Sequence, residues 1–517
     1  MSGEIMDFCG TPNCGGEYRR WEDLISSTAR IPLPPDNYKP LVALVVPPSP
    51  FTVPRGWGYY LERPFEGISY IATVLANAGY RVKIVDARFK PAPLAYAAAG
   101  IRGADLVGVG TFEDGFPFIE AICALAKDQD PLRPVILGGS LVTSVPELVL
   151  RNTRADIAVL GEGEITVLEL LDAFTRGTLA AEAASIPGLL LRVPGGALNF
   201  TAPRKQLSNL DILPVPDFRL WGRKNNFLRQ VIVSSGRGCH KNCSFCYRTT
   251  PRLGLKSVAG LRGELALLKE RHQAEFFQFT DLTFTFSKKR TLALCEMLRE
   301  LRVKWWCMTR VRNVDAEVLA AMAGAGCDQI LYGVETLSQA ALDGAGKGFS
   351  ESETALAMRL TRDAGITVGA AYVVGLPGET KEALDAAAAF SAGPGTPARV
   401  KYLSAIPGTR VYSDAVASGA IQDELAHLRG MLAREQGLAG DDFLNLSGLP
   451  EQVYRDAYRR IEANYVPGPY GTAGLVRDKR LYAYPGRPIS EEEVESVLQE
   501  DARLCAGSLI TDEKQPC

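Results

Sequence analysis

From residue 40 onward, short apolar strands alternate with amphipathic helical segments, and this pattern restricts the chain to α/β folds. The first strand is LVALVVPPSP (41–50), and helical spacing follows in GISYIATVLANAG (67–79). Further strand and helix signals follow in the order 80–87, 104–111, 116–127, 134–140, 155–164 and 165–174. Such alternation produces a parallel sheet with helices on both faces, which the sequence predicts for residues 40–180.

Small residues follow four of these strands, in the exits PPSP, GVGT, LGGS and GEGE. Ligands of parallel α/β sheets bind at the carboxyl ends of the strands. A glycine can simply end a strand, but four such exits on one sheet edge favour a broad, flat crevice for a large planar ligand. The residues predicted to line it are Gly108, Gly110, Thr111, Gly138, Gly139, Ser140, Gly161 and Gly163.

A second alternation of strands and helices covers residues 230–411 and contains about six β/α repeats. Eight repeats are needed to close a full barrel, so the pattern predicts a partial (β/α)6 barrel with an open side. We assign residues 1–39 to an N-terminal leader and 181–229 to a proline-rich linker with weak strands. Residues 412–517 are predicted to form a small helical C-terminal domain that lies over the barrel mouth.

Three cysteines follow the first barrel strand with the spacing C-x3-C-x2-C: Cys239, Cys243 and Cys246. Glycines on the preceding loop let the backbone curve around a cofactor without Cβ clashes. A zinc site would need four ligands, and a [4Fe–4S] cluster usually takes four thiolates. The candidates for a fourth thiolate fall in helix or strand interiors and are expected to be core residues: Cys295, Cys307 and Cys327. The preferred interpretation is a [4Fe–4S] cluster with one iron open to a substrate or cofactor, and zinc is the alternative.

The composition argues against several other classes of protein. The 517 residues carry a formal net charge of −2, whereas nucleic-acid binders usually have a basic excess. No apolar run reaches the ~18 residues of a membrane span, and the N-terminus does not resemble a secretory signal. Eleven cysteines with one tight cluster indicate a reduced, cytoplasmic protein with one metal site. Exposed thiols without a role are expected at Cys9, Cys14, Cys505 and Cys517, and a redox pair or a metal site is the alternative for Cys9 and Cys14.

The cysteine motif, followed by Tyr247 on the first strand–helix loop of a partial barrel, resembles the radical S-adenosylmethionine superfamily. The resemblance continues in order and spacing over residues 230–410, through WWCMTRVR, GCDQILYGVETLS, GKG, AGITVGAAYVVGLPGET and IPGT. It implies that the amino and carboxylate groups of S-adenosylmethionine chelate the fourth iron. An electron from the cluster would then cleave the sulfonium to a 5′-deoxyadenosyl radical, for which an external one-electron reductant such as flavodoxin or ferredoxin is expected.

The same resemblance implies contacts to S-adenosylmethionine. Thr280 and Asp281 would hold the methionyl amino group, Arg310 the carboxylate, and Glu335 the ribose or the amino group. The loop at the adenine side would contain Gly375, Pro377 and Gly378. The structural alternatives are a salt bridge between Arg310 and a barrel carboxylate, and a turn capped by Asp281.

The front sheet, which the predicted radical barrel follows in the chain, resembles the Rossmann-like cobalamin-binding domain that is fused to many radical enzymes. The glycine-rich exits match the segments that bind the nucleotide tail of cobalamin in that family. The motif D-x-H-x-x-G, whose histidine ligates cobalt, is absent, and none of the three histidines lies in this domain. Many radical enzymes of this type lack that histidine, so cobalamin remains the expected ligand, and a degenerate sheet that only docks substrate is the alternative. Trp57, Tyr59 and Tyr60 are candidates to seal the lower face of cobalt.

The two resemblances together imply a methyltransferase that methylates an unactivated carbon of a small molecule or natural-product intermediate, through a 5′-deoxyadenosyl radical and methylcobalamin. A radical cyclase or rearrangement enzyme without methyl transfer is the second hypothesis. A non-catalytic iron–sulfur or zinc protein is the third. In the tail, Tyr454, Tyr458 and Tyr465 have near-helical spacing and are expected to pack.

Overall fold

The computed structural model describes residues 39–47, 51–52, 64–88, 90, 92–111, 115–222, 230–247, 249–392, 398–435, 444–463 and 476–477. Several residues named above lie outside these ranges, and their predicted roles are not addressed by the structure. They are most of the N-terminal leader, the last three residues of the PPSP exit, Trp57, Tyr59, Tyr60, Tyr465 and the terminal cysteines Cys9, Cys14, Cys505 and Cys517.

The front part of the chain forms the predicted parallel sheet. Its strands are β1 (Leu41–Val46), β2 (Phe51–Thr52), β3 (Arg81–Asp86), β4 (Leu106–Thr111), β5 (Val135–Gly139), β6 (Ile157–Val159), β7 (Leu189–Arg192) and β8 (Leu198–Phe200). All of these except β2 form one seven-stranded sheet in the order β3-β1-β4-β5-β6-β7-β8. The strand order reverses between β1 and β4, and a reversal of this kind opens a crevice at the carboxyl ends of the two strands.

Helices cover both faces of the front sheet. They are α1 (Glu66–Asn77), α2 (Pro93–Gly100), α3 (Phe116–Gln129), α4 (Ser140–Ser144), α5 (Pro146–Arg151), α6 (Glu164–Thr175) and α7 (Leu179–Glu182). Prolines stand in the first turn of α2, α3 and α5, where their missing N–H has no intrahelical partner to lose. Two buried apolar clusters, one on each face of the sheet, form the core of this domain.

The front sheet extends further along the chain than the sequence predicted. β7 pairs antiparallel with β6, and β8 pairs antiparallel with β7. The weak strand at 188–193, which we had assigned to the linker, therefore belongs to the sheet. Leu189 and Leu190 are fully buried, and this burial stabilises a strand whose sequence signal is short.

The second unit is the predicted partial barrel. Its strands are β9 (Gln230–Val233), β10 (Gly236–Arg237), β11 (Gly254–Leu255), β12 (Phe276–Phe279), β13 (Lys304–Thr309), β14 (Cys327–Glu335), β15 (Thr367–Val374) and β16 (Ala398–Tyr402). Six of them form a parallel sheet in the order β16-β15-β14-β13-β12-β9, while β10 and β11 form a separate antiparallel pair. The sequential order of the six strands confirms the six-repeat barrel.

The barrel helices follow the strands in the chain: α8 (Val258–His272), α9 (Lys288–Leu301), α10 (Ala316–Gly324), α11 (Gln339–Gly344), α12 (Glu351–Asp363), α13 (Lys381–Ser391) and, after β16, α14 (Arg410–Ala417). Local sequence fixes their starts. In α12 the Ser350 side chain accepts from the backbone of Glu353, and the Glu353 side chain accepts from the backbone of Ser350, which is a complete capping box. None of the helices in the described ranges is long and apolar enough to cross a membrane.

The described part of the tail packs at the sides of the two domains. It contains α15 (Glu424–Glu435), α16 (Glu451–Ala463) and β17 (Val476–Arg477), which pairs with β2. Leu428 of α15 is buried in the front-domain core, and Arg429 forms an ion pair with Glu120 at 2.6 Å. In α16, Tyr458 stacks on Tyr402 of β16 with ring centroids 4.4 Å apart. The apolar faces of these helices are buried against the two cores, and the predicted position of the C-terminal region over the barrel mouth stays a prediction.

Candidate active site

The carboxyl ends of the two sheets face one cavity of about 670 Å³. Its lining includes every small residue that the sequence placed at the front-sheet edge: Gly108, Gly110, Thr111, Gly138, Gly139, Ser140, Gly161 and Gly163. From the barrel side, the cavity is lined by Ile232 of β9 and Ser234 after it, by residues Gly236–Gly238, and by Thr280 after β12. The two predicted binding edges therefore form opposite walls of one space.

Glycines form much of the front wall of the cavity. A Cβ at Gly110 would lie 3.1 Å from Ile68, and one at Gly139 would lie 2.5 Å from the Thr111 carbonyl oxygen. Gly139 also has φ of +117°, which side chains rarely adopt. At Gly138 no atom lies within 4 Å of the Cβ position, so a side chain there would project into open space. These residues fit the broad planar ring of cobalamin.

The three cysteines lie on the loop between β9 and α8. Gly238 has φ of +86°, and a Cβ on it would lie 2.0 Å from the Arg252 carbonyl oxygen, so only glycine permits this backbone path. The Cys239 thiol is buried, with the Lys241 backbone N–H donating to it at 3.5 Å, while Cys246 is exposed. Iron binding would displace the proton of each thiol, because the thiolate is the metal ligand.

A chain of charged groups approaches the cysteines from the barrel mouth. Arg310 donates from Nη1 to the Cys243 sulfur at 3.5 Å and from Nη2 to the Lys347 carbonyl oxygen. The Lys347 Nζ donates in turn to the Glu335 carboxylate at 2.8 Å, and both side chains are buried. Glu335 has φ of +66° next to a register shift between β14 and β15. The strained backbone at the end of β14 places the Glu335 side chain against Lys347, and strain of this kind is common in functional sites.

The residues predicted to contact S-adenosylmethionine lie near this mouth, and each has its own hydrogen-bond partners within the protein. Arg310 donates to a thiol and a carbonyl group and not to a barrel carboxylate. Thr280 donates to the Glu66 carboxylate at 3.1 Å. Asp281 accepts from the backbone and hydroxyl of Ser235 at 2.8 and 2.6 Å, so it fixes the start of the cysteine loop and caps no turn of its own. Burial raises the pKa of Asp281 to about 6. The S-adenosylmethionine roles of these residues stay predictions.

The adenine-side loop from Gly375 to Gly378 is held by a buried carboxylate that the sequence analysis did not identify. The Glu379 side chain accepts from the Gly375 N–H at 2.8 Å, and the Ser338 hydroxyl donates to the Gly378 carbonyl oxygen at 2.8 Å. Burial raises the pKa of Glu379 from 4.5 to about 7. The loop geometry therefore depends on a group that titrates near neutrality.

We expect the stability of the protein without cofactors to fall as pH rises through this range. The folded state binds the Glu379 proton more tightly than the unfolded state, so its contribution is complete below about pH 4.5 and lost above about pH 7. At about 1.4 kcal/mol per pKa unit, the loss is about 3 kcal/mol at most. Urea unfolding across this range should show the loss in the wild type relative to Glu379→Gln, whose side chain does not titrate. The exposed Glu382→Gln should follow the wild type, and a constant difference between wild type and Glu379→Gln would contradict the assignment.

Cys295, Cys307 and Cys327 are confirmed as core residues, because all three are buried in the apolar cluster of the barrel. A zinc site would need ligands that converge on one ion. Among the residues that the structure describes, no group of three or more His, Cys, Asp or Glu side chains could hold a single metal ion. The donor set at the cysteine loop is three thiols on a glycine-bounded loop, which fits three corners of a [4Fe–4S] cluster.

Sequence reasoning missed several polar residues that join the two domains. Glu66, at the start of α1, accepts from the Ser234 backbone at 3.1 Å, the Ser234 hydroxyl at 2.5 Å and the Thr280 hydroxyl. Arg237 forms ion pairs with Glu162 and Glu164 of the GEGE exit. The charges of the GEGE exit were visible in the sequence, but their partner lies more than seventy residues away.

Two protein-family models match this chain. The B12 binding domain matches residues 65–171, and the radical SAM superfamily matches residues 233–390. These matches cover the two walls of the cavity, the first sheet exits and the cysteine loop.

Two relatives of equal sequence identity are named for different activities. An uncharacterized methyltransferase of Pyrococcus horikoshii is 28% identical over 390 residues, which is 73% of this chain and 83% of the relative. An anaerobic magnesium-protoporphyrin IX monomethyl ester cyclase of Rubrivivax gelatinosus is 28% identical over 296 residues, 54% of this chain and 53% of the relative.

A solved structure supports the fold. The radical S-adenosylmethionine methyltransferase TsrM from Kitasatospora setae, with cobalamin and a [4Fe–4S] cluster bound, matches with a TM-score of 0.64. The match covers 91% of this chain and 100% of that chain at 18% sequence identity, a level at which the likeness concerns the fold alone.

Proposed function

Because this chain belongs to the cobalamin-dependent radical S-adenosylmethionine enzymes, we propose that it is a methyltransferase that methylates an unactivated carbon of a small molecule. The cofactors of the family are a [4Fe–4S] cluster, S-adenosylmethionine and cobalamin. Here Cys239, Cys243 and Cys246 would hold the cluster, and the glycine-rich edge of the front sheet would hold cobalamin. When bound, these cofactors supply a 5′-deoxyadenosyl radical and a transferable methyl group.

The observation that carries the proposal is the single cavity between the two sheets. Methylation of a carbon radical requires the hydrogen-abstracting group and the methyl donor to reach the same substrate atom. The front-sheet glycines border the same space of about 670 Å³ as the residues on either side of the three cysteines, Gly236–Gly238 and Tyr247. Its walls are fixed by buried polar contacts, so a substrate held there would meet both cofactor sites without domain movement.

The chain's own residues would position the reactants and exclude water. Gly138 and its neighbours leave room for a flat ring, and Asp281 fixes the start of the cysteine loop through Ser235. Arg310, Lys347 and Glu335 present two cations and one carboxylate at the mouth. These charges complement the carboxylate and the amino group of S-adenosylmethionine.

Product analysis tests the proposal. One methylation consumes one C–H bond, two S-adenosylmethionine molecules and two electrons, and yields methylated substrate, 5′-deoxyadenosine, methionine and S-adenosylhomocysteine. We therefore expect 5′-deoxyadenosine and S-adenosylhomocysteine in equal amounts when the anaerobically reconstituted protein, with cobalamin and a one-electron reductant such as flavodoxin or ferredoxin, is given a pool of small molecules that contains its substrate. Protein without cobalamin is the control and should make no S-adenosylhomocysteine. Formation of 5′-deoxyadenosine alone, with cobalamin bound, would contradict methyl transfer.

A radical cyclisation or rearrangement is the second candidate. It is favoured by the cyclase of Rubrivivax gelatinosus, which is as similar in identity as the methyltransferase relative but over a shorter length. That reaction would leave cobalamin without a methyl-donor role, and its signature is 5′-deoxyadenosine without S-adenosylhomocysteine. The longer match of the methyltransferase relative, with 83% of its length covered, supports the first candidate.

A further inference from the structure

One arginine connects the loop of the predicted cluster to the loop of the predicted cobalamin site. Arg237 Nη1 lies 3.1 Å from Glu162 Oε1, and its Nη2 lies 2.8 Å from Glu164 Oε1. The side chains are 18%, 8% and 5% exposed in the order Arg237, Glu162, Glu164. Hydrogen-bonded ion pairs of this kind resist separation, because each charge loses its partner when they part.

The ends of this bridge lie beside the two cofactor sites. Arg237 is two residues before Cys239 and belongs to the short strand β10. Glu162 and Glu164 flank Gly163 at the end of β6, and all three line the central cavity. We propose that Arg237 is a positioning residue that transmits occupancy of the front-sheet cofactor site to the cysteine loop. Only the effect of this coupling on catalysis rests on the proposed function.

The charge balance makes the ion pairs of Arg237 with Glu162 and Glu164 sensitive to change at either end. Two carboxylates share one guanidinium, and burial together with the charge of Glu164 raises the pKa of Glu162. The Leu207 backbone N–H donates to the second oxygen of Glu162 at 2.6 Å, so this side chain has no free room to follow a displaced arginine. The Tyr70 ring lies under the guanidinium with its centroid 4.9 Å away, which fixes the arginine plane.

A second polar contact keeps the domains together when this bridge is removed. Glu66 of the front domain accepts hydrogen bonds from Ser234 and Thr280 of the barrel, on the same cavity. The buried tail residues Leu428 and Tyr458 add apolar contacts to the front domain and the barrel, respectively. Loss of Arg237 alone is therefore expected to loosen the cysteine loop without separating the domains.

Hydrogen exchange on the full, iron–sulfur-reconstituted chain tests the coupling without any turnover. Saturating hydroxocobalamin should slow exchange of the 236–247 segment by about tenfold or more in the wild type, and less than about twofold in Arg237→Gln. Arg204→Gln is the matched control, because Arg204 pairs with Glu169, is also largely buried, and does not line the cavity. Equal protection in Arg237→Gln and the wild type would overturn the proposal, as would an equal loss in Arg204→Gln.

In Arg237→Gln the buried carboxylates of Glu162 and Glu164 lose their partner, which destabilises the fold. A second variant therefore removes the charges of all three residues. Arg237→Met combined with Glu162→Gln and Glu164→Gln leaves no buried charge unpaired, and it should bind cobalamin yet show no transmitted protection. Protection of the cysteine loop in this variant would overturn the proposal. Arg237→Lys keeps one ion pair and should restore part of the protection, whereas no restoration would contradict the ion-pair mechanism.

The catalytic consequence is measured as a product ratio. In the wild type we expect S-adenosylhomocysteine and 5′-deoxyadenosine in equal amounts, and in Arg237→Gln an S-adenosylhomocysteine share about tenfold lower, because a displaced cluster loop misplaces the substrate radical. An unchanged ratio in Arg237→Gln would contradict the positioning role. Absence of S-adenosylhomocysteine in the wild type would instead contradict the proposed function and leave the exchange result to decide the coupling.

Discussion

A chain in which Cys239, Cys243 and Cys246 are all replaced by alanine is expected to lose bound iron and sulfide and to make neither nucleoside product. Among the barrel cysteines that the structure describes, these three lie on a loop, whereas the others, Cys295, Cys307 and Cys327, are buried in the apolar core. Without the cluster, no electron reaches S-adenosylmethionine, and the hard chemistry of this family belongs to the cofactors. The formation of 5′-deoxyadenosine should fall by at least about a thousandfold, as measured by mass spectrometry alongside iron and sulfide per chain.

The matched control is Cys123→Ala. Cys123 is fully buried in the front-domain core, so its loss tests whether removing a cysteine disturbs the protein in general. This variant should keep its iron and both products, at a stability cost of about 1 kcal/mol. Substantial turnover by the triple variant would refute the assignment of the cluster, and loss of iron from Cys123→Ala would show that the measurement reports folding.

Replacing Gly138 by leucine is expected to weaken cobalamin binding while the iron content of the protein is unchanged. The Cβ position at Gly138 has no neighbour within 4 Å and faces the cavity, so leucine fits the fold but occupies the space for cobalamin. Steric overlap of this size costs about 1–3 kcal/mol, which weakens cobalamin binding by about tenfold to a hundredfold. The formation of S-adenosylhomocysteine should fall in proportion, while iron content and 5′-deoxyadenosine persist.

Gly263→Leu provides the comparison, because its Cβ position is also free of neighbours but lies on the exposed side of α8. It should bind cobalamin with wild-type affinity, as followed by the absorbance of the corrinoid during titration. If Gly138→Leu binds cobalamin as tightly as Gly263→Leu, the front-sheet edge is not the corrin site. If Gly138→Leu loses its iron as well, the two sites are not separable as the cavity suggests.

Much of the fold could be predicted because local sequence carries it. The strands β4 and β5 are short apolar runs that end in Gly-Thr and Gly-Gly, and α12 carries a complete capping box. The β6–β7 pairing could not be predicted, because β7 is four residues long and owes its stability to burial against a distant strand. The side-on packing of α16 depends on Tyr458 stacking with Tyr402, a contact between segments with no shared local pattern.

The small residues of the site were predictable for a different reason than its charges. Parallel strands bring their carboxyl ends to one edge, so topology alone gathers Gly108, Gly138 and Gly161. Glu66 lies 214 residues before Thr280 and has no motif around it. Contacts of this kind depend on how two domains dock, and a single sequence contains no periodic signal for docking.

The tail described above crosses the domain boundary a second time. The chain passes from the front sheet to the barrel after β8, and then returns to the front-domain core at Leu428 before packing on the barrel edge at Tyr458. A hinge opening would have to break the Glu66 contacts and pull on a tail that is anchored in the front-domain core at Leu428 and on the barrel at Tyr458. We therefore expect the distance between the cysteine loop and the edge of the front sheet to stay constant through a catalytic cycle. Each S-adenosylmethionine molecule must then diffuse into a cavity of fixed shape.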